Sequence, residues 1–229
     1  IDPNDDNDLD AVGKDSNVVI EKENQKAVIR YVSTNGNRVL TTDEVTGKSG
    51  EAIAYSTTSQ ITEFKKQGYN LVSDEFTAGG AKVYDYDTAR DQVYTVTLSE
   101  RVEPVNPDNP TPQPNTPVNP GQPDSPRWPG TVENLDNKES VSRTIHYVYE
   151  DGSKAKDDVV ETLNFKRWSN VNLVTGHIDF QDWTTNDDTF DKVVSPTIAG
   201  YTADKSEIPA VSGVQAKDQD RVETVTYRK

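Results

Sequence analysis

The chain has 229 residues, with 39 acidic against 24 basic side chains and neither cysteine nor methionine. A net charge of −15 argues against nucleic acid as a partner, since phosphates are neutralised by Lys and Arg, and against adsorption to an anionic bilayer. Without cysteine, disulfide scaffolds, thiol catalysis and thiolate metal sites are excluded.

The length suits one or two domains. Apolar content, 32% before glycine is counted, falls below the roughly 45–50% of compact domains with glycine included, which points to small cores beside solvated stretches and to an elongated molecule. No run of about 18 apolar residues is present to span a bilayer. With no initiator methionine and no apolar leader, the chain reads as a piece of a longer protein whose targeting signals lie elsewhere.

Residues 1–24 carry eight acids against Lys14 and Lys22 and read as an acidic linker or leading segment, with Val18-Val19-Ile20 as a short strand candidate. A first domain is expected over 25–103. It opens on an alternating strand, with Ala27, Ile29 and Tyr31 on one face, and turns at Asn35-Gly36, a type I′ signal. A return strand follows over 37–45. A helix is expected over Thr58–Gln67: Thr57 and Gln60 have capping-box spacing, Ile61 and Phe64 share a face, and Gly68 is a C′ stop. The β-branched run 92–98 closes the domain.

Ten of the 13 prolines lie between Pro104 and Pro129, mostly three apart, the period of polyproline II. The segment 104–138 is therefore expected to be a semi-rigid spacer, reaching roughly 80 Å over its prolines at about 3.1 Å per residue. Trp128, at its end, is the candidate docking anchor on the following domain.

The second domain, 139–229, resembles the first. Ile29-Arg30-Tyr31-Val32 matches Ile145-His146-Tyr147-Val148, Gly68-Tyr69 matches Gly200-Tyr201, and Thr95-Val96-Thr97 matches Thr224-Val225-Thr226, in the same order. Two divergent copies of one module explain this. The second copy is expected to turn at Asp151-Gly152 and return over 159–165. It should then form an extra hairpin around Thr175-Gly176 and place a short helix from Asp187 or Asp188 through Phe190, Val193 and Val194. Val222–Tyr227 should close it. Strand, strand, helix, strands is the order of a sheet backed on one face by a helix.

Catalysis lacks its parts. His146 and His177 are the imidazoles available, there is no G-x-S-x-G elbow, and acid pairs such as Asp157-Asp158 and Asp187-Asp188 suit a solvated surface. Asp85, Asp87 and Asp91 are the calcium candidate, ahead of the Asp2, Asn4, Asp6, Asp8 series, which lacks the Gly and Glu of an EF-hand loop. No other cofactor is expected. Sugars stack on exposed aromatics beside placed polar groups, which draws attention to Trp128, Trp168, Trp183, Tyr84 and Tyr86. Trp168, flanked by Lys166 and Arg167, is the preferred ligand platform, with Trp183 as a further candidate. Sheet edges could also accept a partner strand.

Arg143 to Gly152, then Asp182-Trp183, and Ser195-Pro196-Thr197-Ile198-Ala199-Gly200-Tyr201, resemble the Mub repeat, the mucus-binding (MucBP-type) module of surface proteins in lactobacilli. Upstream, Thr46-Gly47-Lys48-Ser49-Gly50-Glu51 and Lys66-Gln67-Gly68-Tyr69 resemble the repeat's first half, and Arg127-Trp128-Pro129 its connector. The resemblance implies an α+β rod of two ubiquitin-like β-grasp domains, the first B1-like and the second B2-like and MucBP-type, each with one short helix. It also implies tandem repetition on an adhesin anchored to the bacterial cell wall. The implied partners are mucin glycans or mucus glycoproteins, and in some repeats immunoglobulins. It brings no catalytic residues and fixes no ligand site. The resulting reading is an extracellular, non-enzymatic, monomeric adhesin repeat that gains strength through multivalency, with an immunoglobulin-binding module or a purely structural spacer as the alternative.

Overall fold

The structure is a computed structural model that describes residues 22–229; the Val18-Val19-Ile20 strand and the Asp2–Asp8 oxygen ligands lie outside them. The chain divides into two compact units, one ending at Glu100 and the other running from Arg101 to Lys229, with residues 66–68 grouped with the second.

In the first unit, β1 (Asn24–Ser33) pairs antiparallel with β2 (Arg38–Lys48), helix α1 (Thr58–Lys66) follows, and β3 (Tyr69–Asp74) and β4 (Gln92–Glu100) complete the sheet. The strand order is β2-β1-β4-β3. The first and last strands lie parallel at the centre, from Ala27–Gln92 to Ser33–Leu98. Alternation buries Ala27, Ile29 and Tyr31 with Val96 and Leu98 on one face, and α1 covers that face with Ile61 and Phe64. The core is aromatic: the Tyr31, Phe64 and Tyr69 rings are 5.6–5.7 Å apart in succession, and Phe76 meets Tyr55 and Tyr94 edge-on. Such pairs contribute about 0.5–1.5 kcal/mol each beyond the area they bury.

Two local expectations change. The positive φ angles fall on Gly36 and Asn37, one residue later than a turn centred on Asn35-Gly36 requires. The Thr57 hydroxyl does not close a capping box. It donates to the Asp74 carboxylate at 2.6 Å, while Gln60 reaches Asp43. Asp74 also accepts from the Thr77 hydroxyl and the Phe76 and Thr77 amides. Those hydrogen bonds outweigh the upward pull of burial and hold its pKa below the usual value.

In the second unit, β6 (Lys138–Tyr149) and β7 (Lys154–Lys166) form a long hairpin. β13 (Arg221–Arg228) lies parallel to β6, and β11 (Thr202–Ala203) joins the outer side of β13. The repeated words occupy matching registers: Arg30–Thr95, Tyr31–Val96 and Val32–Thr97 in the first unit, His146–Thr224, Tyr147–Val225 and Val148–Thr226 in the second. At the β6–β7 turn only Gly152 has positive φ, and Asp151 accepts from the Ser153 amide at 2.9 Å.

The expected second helix is absent. Phe190 instead exchanges backbone hydrogen bonds of 2.9 Å with Val211, and β10 (Val193–Val194) pairs with β12 (Glu207–Ile208). β-branched valines favour extended backbone, and Pro196 bars further helical growth. An irregular segment therefore covers the inner sheet face, contributing Phe190, Ile208, Val214 and Ala216 to the core. Arg143, 1% exposed, ties it down. Its guanidinium lies over the Phe190 ring, donates to the carbonyls of Asp191 and Pro209, and approaches Glu161. The position of Arg143 in the β6–β13 register matches that of Ala27 in β1–β4.

Nor do the prolines build an extended spacer. β5 (Val102–Val105) pairs with β8 (Ser169–Asn172), which pairs in turn with β9 (Ile178–Phe180); the last two form the expected extra hairpin. The chain then doubles back, with Asn115 donating to Trp128, Trp128 to Thr116 and Val118 to Pro126 through the backbone. Val118 and Trp128 pack against Val105, Val132, Val171 and Leu173. The residues between the prolines supply the donors and apolar contacts that a pure polyproline helix lacks.

Arg143→Ala should remove the buried guanidinium that bonds two carbonyls and leave a void, at a cost of about 3 kcal/mol. All three tryptophans lie in the second unit, so their fluorescence in urea should show an earlier transition for that unit. In the first unit, a Cβ on Gly47 would overlap the Tyr84 ring. Gly47→Ala should therefore destabilise that unit by about 1–3 kcal/mol, read by near-ultraviolet dichroism of its tyrosines.

Candidate functional site

The strand pairing brings side chains of distant segments together at one end of the β6–β7 hairpin. Lys138 faces Lys166 and Ser140 faces Asn164 across the ladder. Residues 184–187 run along the β7 edge: Lys166 and Thr184 exchange backbone hydrogen bonds, and the Thr185 hydroxyl donates to the Asn164 carbonyl at 2.7 Å. The result is a groove of about 700 Å³, lined chiefly by hydroxyls and amides, with Lys138 and Lys166 as its cations and Glu139 and Asp187 as its acids. Like charges directly opposite on a sheet repel. Lys166 relieves this by reaching Asp108 at 2.8 Å.

The four expected ligand residues divide. Arg167 is only 14% exposed; its guanidinium lies 3.8 Å from the Phe180 ring centre and 4.1 Å from that of Trp183, and bonds the Asp136 carboxylate and backbone carbonyl. Arg167 and Trp183 thus form a stacked block, with Trp183 resting on the core. Trp168 and Phe180 are each 40% exposed, and the Trp168 carbonyl accepts from the Gln181 amide. Trp168 keeps free surface, Lys166 lines the groove, and Phe180, against Arg167, is a further exposed aromatic. The sequence reading passes over Phe180, Lys138 and Asp136, because β8–β9 pairing and Arg167 stacking, rather than spacing, bring them in.

The block is continuous with the groove through an ion cluster. Lys217 binds Asp136 and, at 3.2 Å, Glu139, and its ammonium lies 5.9 Å from the Trp183 ring. Burial alone would raise the Asp136 pKa, but hydrogen bonds with Glu139 and Lys217 and the charges of Lys217 and Arg167 outweigh it, so the carboxyl is held below its usual range. Hydrogen bonds with Asp136 and Glu139 raise Lys217.

Trp128 lies inside the second unit, against Val105, Val132, Val171 and Leu173. The carboxylates of Asp85, Asp87 and Asp91 are used separately. Asp85 accepts from the Asp87 amide, Asp87 from the Ala89 amide, and Asp91 pairs with Lys26; no cluster of three metal-ligating side chains occurs among the described residues. His146, half-buried, bonds Asp158, and His177, exposed, bonds Asp179. Tyr84 is buried and Tyr86 exposed. The first unit has its own smaller groove, about 470 Å³, with Lys26, Lys48, Arg90 and Asp91 in its lining.

Because the folded-state pKa of Asp136 lies below the unfolded value of about 3.9, the cluster's stabilisation is complete above that pH and is lost as acid carries the pH down through the folded pKa. Acid titration of tryptophan fluorescence should show this loss in the second unit, and Lys217→Met should make it shallower.

Two family models match the chain: the Mucin binding domain over residues 25–100 and the Muc B2-like domain over residues 132–229. The name Mucin binding domain thus falls on the first unit. No curated protein matches the chain. Among solved structures, the type 2 repeat of the mucus binding protein MUB from Lactobacillus reuteri is similar at 28% identity, covering 89% of this chain and 98% of its own, with a TM-score of 0.57. Mub-RV is similar at 26% identity, covering 89% of this chain and 97% of its own, with a TM-score of 0.69. Paired parallel central strands in both units, two successive domain matches and alignment along nearly the whole of two Mub repeats lead to one assignment: the chain is a Mub repeat, a member of the MucBP-type family of α+β modules with two β-grasp domains.

Proposed function

We propose that this repeat is a non-catalytic adhesin module, displayed outside the cell, that binds mucin glycoproteins. The observation that carries the reading is the open groove of the second unit, with its hydroxyls, amides and two lysines, on a unit that also exposes aromatic surface at Trp168 and Phe180, in a chain whose family models carry mucin names. Sugar rings present CH-rich faces and a belt of hydroxyls. Flat aromatic surface serves the faces, while Asn164, Asn186 and the groove's hydroxyls serve the belt. Lys138 and Lys166 supply local positive charge against the acidic background and accommodate acidic sugars.

An open groove of this kind binds weakly, and repetition supplies the strength. Linked sites rebind at an effective concentration set by the linker, and avidity rises by about 10²–10⁴ over one site. No helix among the described residues is long and apolar enough to cross a membrane.

Surface-immobilised mucin, probed with the single repeat and with a tandem array, should retain the array far longer. Trp168→Ala with Phe180→Ala should cut retention of the single repeat about tenfold, equivalent to roughly 1.4 kcal/mol. Lys48→Ala with Arg90→Ala in the first-unit groove should leave it near the parent level. The reverse pattern would move the site to the first unit, and negligible retention of both single repeat and array would overturn the function.

A further inference from the structure

The ligand-binding reading leaves unused the most regular feature of the molecule, the matched pairing of first and last sheet strands. In the first unit β1 and β4 run side by side in the same direction from Ala27–Gln92 to Ser33–Leu98. In the second, β6 and β13 do so from Arg143–Arg221 to Tyr149–Tyr227. Chain enters each ladder at one end and leaves it at the other. Side-chain and backbone bonds mark the exit ends. Thr34 donates to the Leu98 carbonyl at 2.9 Å and Asn35 to the Glu100 carboxylate at 3.2 Å, while Arg228 bonds Glu150 at 3.1 Å. Asn24 and Lys138, where β1 and β6 begin, therefore lie at the far ends of their ladders.

We infer that each unit carries a load-bearing clamp: tension applied along β1 and taken up along β4, or applied along β6 and taken up along β13, is resisted in shear by seven consecutive parallel pairs. Shear loads every hydrogen bond of the ladder together, so none yields until all do. Pulling the same ladder from one end opens its bonds one at a time. The flanking strands strengthen the clamp in shear, because β2 and β7 hold the outer sides of β1 and β6 through long antiparallel ladders. Forced unfolding is set by the unfolding rate, so the direction of load matters more than equilibrium stability. The inference is independent of the ligand and of which unit binds it.

Direction of load is also the test, and the lack of any native cysteine makes engineered cysteine pairs the sole points of attachment. In the full chain, Lys22→Cys with Ser99→Cys loads β1–β4 in shear, and Thr34→Cys with Ser99→Cys peels it. Lys138→Cys with Lys229→Cys, and Asp151→Cys, in the turn that follows β6, with Lys229→Cys, do the same for β6–β13. None of these changes removes a ladder hydrogen bond. Single-molecule pulling at one speed should give several-fold higher rupture force for each shear pair than for its peeling pair. The first unit's shear event should release roughly 25 nm of chain at about 3.6 Å per residue. Equal forces within a unit, or a stronger peeling pair, would overturn the clamp for that unit.

Discussion

A parallel pair of strands cannot be closed by a tight turn. The chain must travel the length of the sheet before it can pair again, and whatever makes that journey must also cover the sheet's inner face. Both units answer this constraint, and their differences follow from how they do so. In the first, α1 spans the gap with Ile61 and Phe64 facing a sheet position as small as Ala27. In the second, the matching position is Arg143, whose long side chain reaches through the core to grip the carbonyls of an irregular crossing segment. A helix satisfies its own backbone; an irregular cover does not, and buried carbonyls without donors are costly. The guanidinium supplies those donors.

This explains what could be read in advance. Alternation, β-branched runs and the repeated words located the hairpins, the closing strands and α1 closely, because periodicity reports which face of an element is buried. The second helix was misread because Phe190, Val193 and Val194 also fit a helical stripe, and nothing near them in sequence announces that Arg143 will take over the role of a helix. Proline spacing misled in a similar way. The period of three describes the prolines, while the fold of that stretch is decided by Val118, Trp128 and the amides between them.

The candidate surface was legible in part. Trp168 and Lys166 stand out by composition and remain available, whereas Arg167 and Trp183, equally conspicuous, are committed to one another. Phe180 gave no signal, since it depends on the β8–β9 register and on a guanidinium arriving from another strand. Long-range assembly of this kind has no local signature.

The stacked arrangement of Phe180, Arg167 and Trp183 has a consequence for behaviour in brine-like fluids. At physiological ionic strength exposed charges are screened over about 8 Å, so Lys138 and Lys166, set among Glu139, Asp187 and Asp108, act only at close range. Ring–guanidinium contact at 3.8–4.1 Å, with little water between, is far less sensitive. The stacked block therefore keeps its shape as salinity rises, while the exposed charges around it are screened.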